Sequence, residues 1–218
     1  MNMRALDLFC GAGGASMGLY RAGFDVIGID LIAQPNYPFT FVRADALEPP
    51  FDLNKSFDFI WASPPCQAYS VASQTQRNIG VLYPDLISPV RALLIASGVP
   101  WVIENVPGAP IRGDISICGC QIGLKLRRRR YFETSWNEFD LSEPCQHDGP
   151  VVSVVGHGSP SWVRQSLGFN PSIHDYREAM GIYWMNRKEL SLAVPPAYSE
   201  YIGRRAISAM RHRAEVSG

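Results

Sequence analysis

Two short stretches of this chain carry residue types that could do chemistry. Asp7-Leu8-Phe9-Cys10-Gly11-Ala12-Gly13-Gly14 is an apolar run ending in a glycine turn, and Ser63-Pro64-Pro65-Cys66-Gln67 is a proline-stiffened loop presenting one cysteine. Glycines let a backbone approach a ligand closely, and the N-terminus of a following helix offers it unpaired N–H groups. A thiol in a rigid loop suits nucleophilic attack, although a buried cysteine is most often a small apolar residue. Glu104, in Val102-Ile103-Glu104-Asn105-Val106, ends another apolar run. A carboxylate there is costly unless it has a partner or a task. Arg127-Arg128-Arg129-Arg130 precedes Tyr131-Phe132. Read as a strand, its alternate residues face opposite sides, so one pair of arginines can point into a site. Asp30 ends the run 25–30 and is placed to accept both hydroxyls of a ribose. Asp45 could accept from an adenine amino group while the Ala46 backbone pairs with a ring nitrogen, with a helix cap as the competing role. There is no Gly-x-x-x-x-Gly-Lys loop, so a nucleoside cofactor fits better than a triphosphate.

Such residues converge only if strands bring them to one edge. The spacing predicts strands over about 4–9, 25–30, 39–44, 57–62 and 101–105, and helices over about 13–22 and 84–97. Gly23 suits the position after the first helix, and Pro84 the first turn of the second. The alternation implies an α/β fold with a mostly parallel sheet and helices on both faces, whose ligands bind beyond the carboxyl ends of the strands. Between Gly108 and Asn170 the chain turns loop-rich, with short strands at 128–134 and 151–156. Residues 175–213 read as helical again, and Tyr198, Ile202, Ala206 and Met210 give one apolar face. The expected division is an α/β core over 1–134, a loop-rich segment over 135–174, where specificity usually sits, and helices over 175–218.

The chain has 218 residues, 46% hydrophobic and 18% charged, enough to bury a core. It has neither an apolar run of membrane-spanning length nor a signal-peptide pattern, and its five cysteines are an odd number. A reduced, cytoplasmic chain without membrane or obligatory protein partner is expected. The formal net charge is zero, which argues against a grip on nucleic acid along the whole surface. The 17 arginines against three lysines suit phosphate and base contacts, though codon bias explains them equally well. Cys118-x-Cys120 and Cys145-x-His147 supply four potential zinc ligands around the arginine run, in a spacing other than Cys-x-x-Cys. His157, between two glycines, reads as a loop residue.

Taken in order and spacing, these residues resemble the cytosine-5 DNA methyltransferase family. Asp7 to Gly14 resembles its S-adenosylmethionine motif, Pro65-Cys66-Gln67 its nucleophile loop, Glu104-Asn105-Val106 its catalytic acid motif and Arg128-x-Arg130 its paired arginines. The match runs over about 4–132, and Ala193 to Tyr198 resembles the short members found in phages and prophages. The resemblance implies a Rossmann-like S-adenosylmethionine-dependent methyltransferase fold. Asp7, Phe9, Cys10, Gly11, Gly13, Gly14, Asp30, Leu31, Asp45, Ala46, Pro64 and Ser199 would hold the cofactor, the last from a C-terminal helix returning to the pocket. A cytosine flipped out of double-stranded DNA would be attacked at C6 by Cys66 while Glu104 holds a proton at N3. Arg128 would hold the base carbonyl, Arg130 would order the loop or a phosphate, and their charge would lower the Cys66 pKa. Gln67 and Ser70 would contact the DNA backbone. Leu126 stands where the family has Gln, and Ala197-Tyr198-Ser199 replaces its Gly-Asn-Ser-Val. Only about 40 residues separate the arginine run from the final helices, so sequence recognition is expected to be short or loose. Methylation protecting DNA from restriction is the leading expectation. RNA or a pyrimidine nucleotide is the alternative substrate, and a non-catalytic DNA- or cofactor-binding protein is a third reading. Binding alone would need none of Cys66, Glu104 and Arg128.

Overall fold

The computed structural model describes residues 3–70, 73–136, 144–145, 147, 149–154 and 161–217. Arg4–Leu8 (β1) is buried from Ala5 onward, because strands of a parallel sheet covered on both sides must be apolar almost throughout. It pairs in parallel with Asp25–Asp30 (β2) on one side and Phe59–Ala62 (β4) on the other. Thr40–Arg43 (β3) lies outside β2, and Trp101–Asn105 (β5) lies outside β4, both parallel. Arg130–Thr134 (β7) runs antiparallel to β5, and Ile115–Ile117 (β6) completes the edge against it. The order is β3-β2-β1-β4-β5-β7-β6, so the chain changes direction between β1 and β4 and leaves a crevice at their carboxyl ends.

Helices cover both faces, as expected. Gly14–Ala22 (α1) and Pro196–Ser217 (α8) bury Ala15, Leu19, Tyr198, Ile202 and Ala206 against Ala5, Phe59, Trp61 and Val102. On the other face Leu53–Ser56 (α2) and Ile87–Ser97 (α4) place Leu53, Val90 and Leu94 on Leu6, Leu8, Ile60 and Ile103. Adjacent Ala5 and Leu6 serve opposite cores, the period-two pattern of a strand. The remaining helices are Gln74–Asn78 (α3), Ser161–Leu167 (α5), Ile173–Met180 (α6) and Arg187–Leu192 (α7). α6 and α7 pack with Leu126, Val152 and Val154 in a third core.

Several boundaries differ from expectation. The second long helix begins at Ile87 rather than near Pro84, because the Asp85 carboxylate accepts from the Ile87 N–H at 2.9 Å and Pro84 stays outside it. β3 ends at Arg43, which leaves Asp45 in the following loop, where its carboxylate accepts from the Leu47 N–H. The arginine strand starts only at Arg130, so Arg128 precedes it. β6 was not anticipated; three residues are too short a run to show a period. Of the strand expected at 151–156, the described residues show a single bridge between Leu126 and Val152. The C-terminal stretch is three helices, broken after Met180 by left-handed Gly181 and again before Pro196. His157 lies outside the described residues. No helix among the described residues is long and apolar enough to cross a membrane.

Candidate active site

The turn after β1 is built by residues that tolerate unusual backbone angles. Phe9 (φ 62°) is the one non-glycine with positive φ among the described residues, and Gly11 (φ 49°) and Gly13 (φ 84°) share that region. The Asp30 carboxylate, at the end of β2, clamps the turn by accepting from the N–H groups of Gly11 and Ile32, each at 3.0 Å. A Cβ on Gly14 would stand 2.4 Å from the Val194 carbonyl, so a side chain there would push the segment between α7 and α8 away. The Trp184 indole N–H donates to the Ala12 carbonyl at 2.8 Å and holds the same region down from the other side.

Asp7 lies beneath this turn, fully buried. Ser16 donates to its Oδ2 and contacts the Tyr37 hydroxyl at 2.8 Å, while Oδ1 has no partner. Burial raises the Asp7 pKa to about 7, against the pull of the Ser16 hydrogen bonds. From pH 4 to pH 7 the folded protein therefore holds a proton that the unfolded chain has released. Stability from this group falls through that window as pH rises, by up to about 4 kcal/mol for a shift of this size. Asp7→Asn is expected to flatten that slope in urea unfolding series at successive pH values. Parallel curves for the two proteins would contradict the assignment.

Across the crevice, β4 delivers the cysteine loop. The Asn105 amide donates to the Pro64 carbonyl at 3.0 Å, and Arg77 donates to the Gln67 and Ser70 carbonyls, so the loop is tied at both ends. Glu104, buried at the end of β5, forms an ion pair with Arg130 of β7 (Nε to Oε1, 2.8 Å) and accepts from Ser63. The antiparallel register that sets β7 beside β5 brings this pair together. Burial nevertheless carries Glu104 above the usual carboxylate range, because Arg130 and Ser63 offset only part of the desolvation. Burial also raises the Cys66 thiol, with Glu104 adding to the effect and Arg130 and Arg128 opposing it. The expected lowering of the Cys66 pKa is therefore reversed: here desolvation outweighs the neighbouring cations.

One cavity of about 510 Å³ joins the two halves. Of the predicted residues, Asp7, Phe9, Cys10, Gly11, Gly14, Asp30, Leu31, Asp45, Ala46 and Pro64 line it, and Cys66, Gln67, Glu104 and Arg130 line it as well. Apart from the Glu104–Arg130 ion pair, its ionisable lining is the acids Asp7, Asp30, Asp45 and Glu189 of α7, a balance that favours a positively charged ligand. Gly13, Ser70, Arg128 and Ser199 do not line it. Gly13 packs under Tyr37 and Pro38, and the Ser70 hydroxyl donates to Ser73. Ser199 is buried in α8 with its hydroxyl on the Pro196 carbonyl, because the chain reaches the cavity earlier, at Leu192 to Val194. The two arginines meet different partners. Arg128 donates to the carbonyls of Ser191 and Val154, and burial lowers its pKa to about 9, whereas Arg130 meets Glu104. Among the residues not anticipated, Ser63 and Asn105 sit inside the quoted motifs and could have been found there. Glu189 gave no signal beyond a helix cap. Cys118, Cys120, Cys145 and His147 come together outside this cavity.

The model of the family described as C-5 cytosine-specific DNA methylase matches residues 3–109. Type II methyltransferase M.AplI of Arthrospira platensis is 41% identical over 160 residues, covering 71% of this chain and 41% of that protein. Type II methyltransferase M.HgiGI of Herpetosiphon aurantiacus is 30% identical over 119 residues, covering 49% of this chain and 93% of that protein. The chain spans about half or less of the length of other curated relatives it matches. The fold is similar to that of a protein assigned as a DNA modification methyltransferase from an E. coli prophage, with a TM-score of 0.62, 15% identity, and coverage of 96% of this chain and 99% of that one.

Proposed function

Because the chain belongs to the C-5 cytosine-specific DNA methylase family, we propose that it transfers a methyl group from S-adenosylmethionine to C5 of cytosine in double-stranded DNA. The observation that supports this reading is one cavity with the glycine turn at one end and Cys66, Glu104 and Arg130 at the other. The fit to the cofactor is chemical. S-adenosylmethionine is cationic, and the cavity is acid-rich and holds a buried, unpartnered carboxylate oxygen on Asp7. The N–H groups of the turn, Asp30 and Asp45 would hold it, with Leu192 to Val194 closing the side. When bound it supplies an electrophilic methyl group on sulfur.

The chain's own residues prepare the base, which must leave the helix to reach them. Cys66 would give up its thiol proton to solvent, and Sγ would form a bond to C6. Glu104, whose pKa burial raises above the usual carboxylate range, would share a proton with N3, so that the electrons displaced from the C5–C6 bond collect at C5, the atom to be methylated. Loss of the C5 proton to solvent and expulsion of the Cys66 thiolate would restore the ring, the N3 proton returning to Glu104 and the thiolate being reprotonated from solvent. Arg130 holds the Glu104 carboxyl in place and, lining the cavity, would meet the base carbonyl, a role the resemblance implies for Arg128. Gln67, on the rim, would meet the DNA. The setting would be the cytoplasm of a bacterial or phage-infected cell, where such methylation guards DNA from restriction.

Transfer of a tritiated methyl group tests the substrate class. Duplex DNA is expected to take the label at cytosine C5, while structured RNA and free cytidine nucleotides remain at background. Label on RNA or nucleotides alone would overturn the DNA reading.

A further inference from the structure

The arginine run is flanked by a group of side chains that the methyl-transfer site leaves unused. Cys118 and Cys120 follow β6 in a tight turn, a single 3-10 turn over Gly119–Ile122. In this turn the Cys118 N–H donates to the Gln121 side chain at 2.6 Å, and a Cβ on Gly119 would stand 2.3 Å from the Leu126 carbonyl. Cys145 and His147 come from beyond β7. The ligand atoms of all four residues lie within 4.8 Å of one another. Cys120 Sγ is 3.1 Å from Cys145 Sγ, and His147 Nε2 is 3.0 Å from Cys145 Sγ and 3.4 Å from Cys118 Sγ.

We propose that Cys118, Cys120, Cys145 and His147 bind one zinc ion that fixes the arginine strand in the methyl-transfer site. Two thiols alone would suit a disulfide. Three thiols and an imidazole converging from segments 25 residues apart suit a tetrahedral ion, whose ligand atoms would be separated by about 3.8 Å. Binding forms three Zn–S bonds and one Zn–N bond and releases three thiol protons to solvent, leaving one net negative charge. Arg129 donates a hydrogen bond to Cys145 and can balance that charge from the outer shell. This gives Arg129 a task that the methyl-transfer chemistry does not.

The placement gives the ion its role. Its ligands bracket Leu126 to Arg130, and the turn packs directly on the Leu126 carbonyl. From there the chain passes to Arg128, whose carbonyl accepts from Tyr198 of α8, and then to Arg130 at Glu104. The effect on methyl transfer rests on the function proposed above, whereas binding of the ion does not.

Elemental analysis of the full chain, purified without chelator, is expected to find about one zinc per chain. Cobalt substitution is expected to give the visible bands of a tetrahedral ion with thiolate charge transfer. Cys120→Ser and His147→Ala should lose the metal, and Cys66→Ala should keep it. Removal with a chelator should lower the melting temperature, and zinc should restore it, whether or not DNA is methylated. Zinc below about 0.2 per chain together with no tetrahedral cobalt spectrum would overturn the proposal. So would a chain two hydrogen atoms lighter in mass with Cys120 and Cys145 joined.

Discussion

Cys66→Ala is expected to lower methyl transfer to duplex DNA at least about 10⁴-fold, since removal of a covalent nucleophile costs this much or more elsewhere. The loss should fall on turnover and not on the fold. Cys66 is partly exposed, and its loop is held by groups other than sulfur: the Asn105 amide on the Pro64 carbonyl and Arg77 on the Gln67 and Ser70 carbonyls. Titration with S-adenosylmethionine should therefore give an affinity within about threefold of the parent, since the glycine turn and Asp30 are untouched. The unfolding midpoint should likewise stay put. Retained transfer in the variant would remove the nucleophile from the account. A collapsed midpoint would instead show the thiol to be a packing residue, the ordinary role of a buried cysteine.

Gly18→Ala is expected to destabilise the chain by roughly 2 kcal/mol or more, although alanine is the better helix former by about 1 kcal/mol. A Cβ at this position of α1 would stand 2.1 Å from both the Pro196 carbonyl and the Ser199 hydroxyl, and 2.6 Å from the Glu200 nitrogen. Two of these are backbone atoms of the first turn of α8, which cannot turn aside as a flexible side chain can. Gly203 makes the reciprocal approach from α8, where a Cβ would lie 3.0 Å from that of Ala22. The two helices thus pack backbone against backbone, and an added methyl must move α8 as a body. The segment leading into α8 lines the cavity proposed to hold S-adenosylmethionine, so its binding should weaken with stability. Urea denaturation measures the first effect, and an unchanged midpoint would contradict the close packing.

The parts legible in the sequence are those in which one residue type has one physical reason. The glycine turn, the proline-held cysteine and the acids ending β2 and β5 each follow an apolar run, and their positions at a shared sheet edge follow from parallel βαβ order. What stayed hidden depends on register and on contacts distant along the chain. Nothing in four consecutive arginines says where a strand begins. Arg130 rather than Arg128 meets Glu104 because β7 starts at Arg130 and pairs antiparallel to β5. The resemblance implies Ser199 at the cavity, but the close approach at Gly18 seats it between two helices. The sign of the Cys66 shift also depended on burial, which the types of its neighbours do not reveal.

The proposed reaction rests on a bond between Cys66 and a cytosine ring positioned by Glu104 and Arg130. Duplex DNA containing 5-fluorocytosine tests it most directly, because fluorine at C5 blocks the proton loss that frees the enzyme. With S-adenosylmethionine present, mass spectrometry is expected to find a denaturation-stable adduct of the chain with the DNA strand, its peptide link at Cys66. Absence of any adduct, or an adduct that persists in Cys66→Ala, would contradict the account.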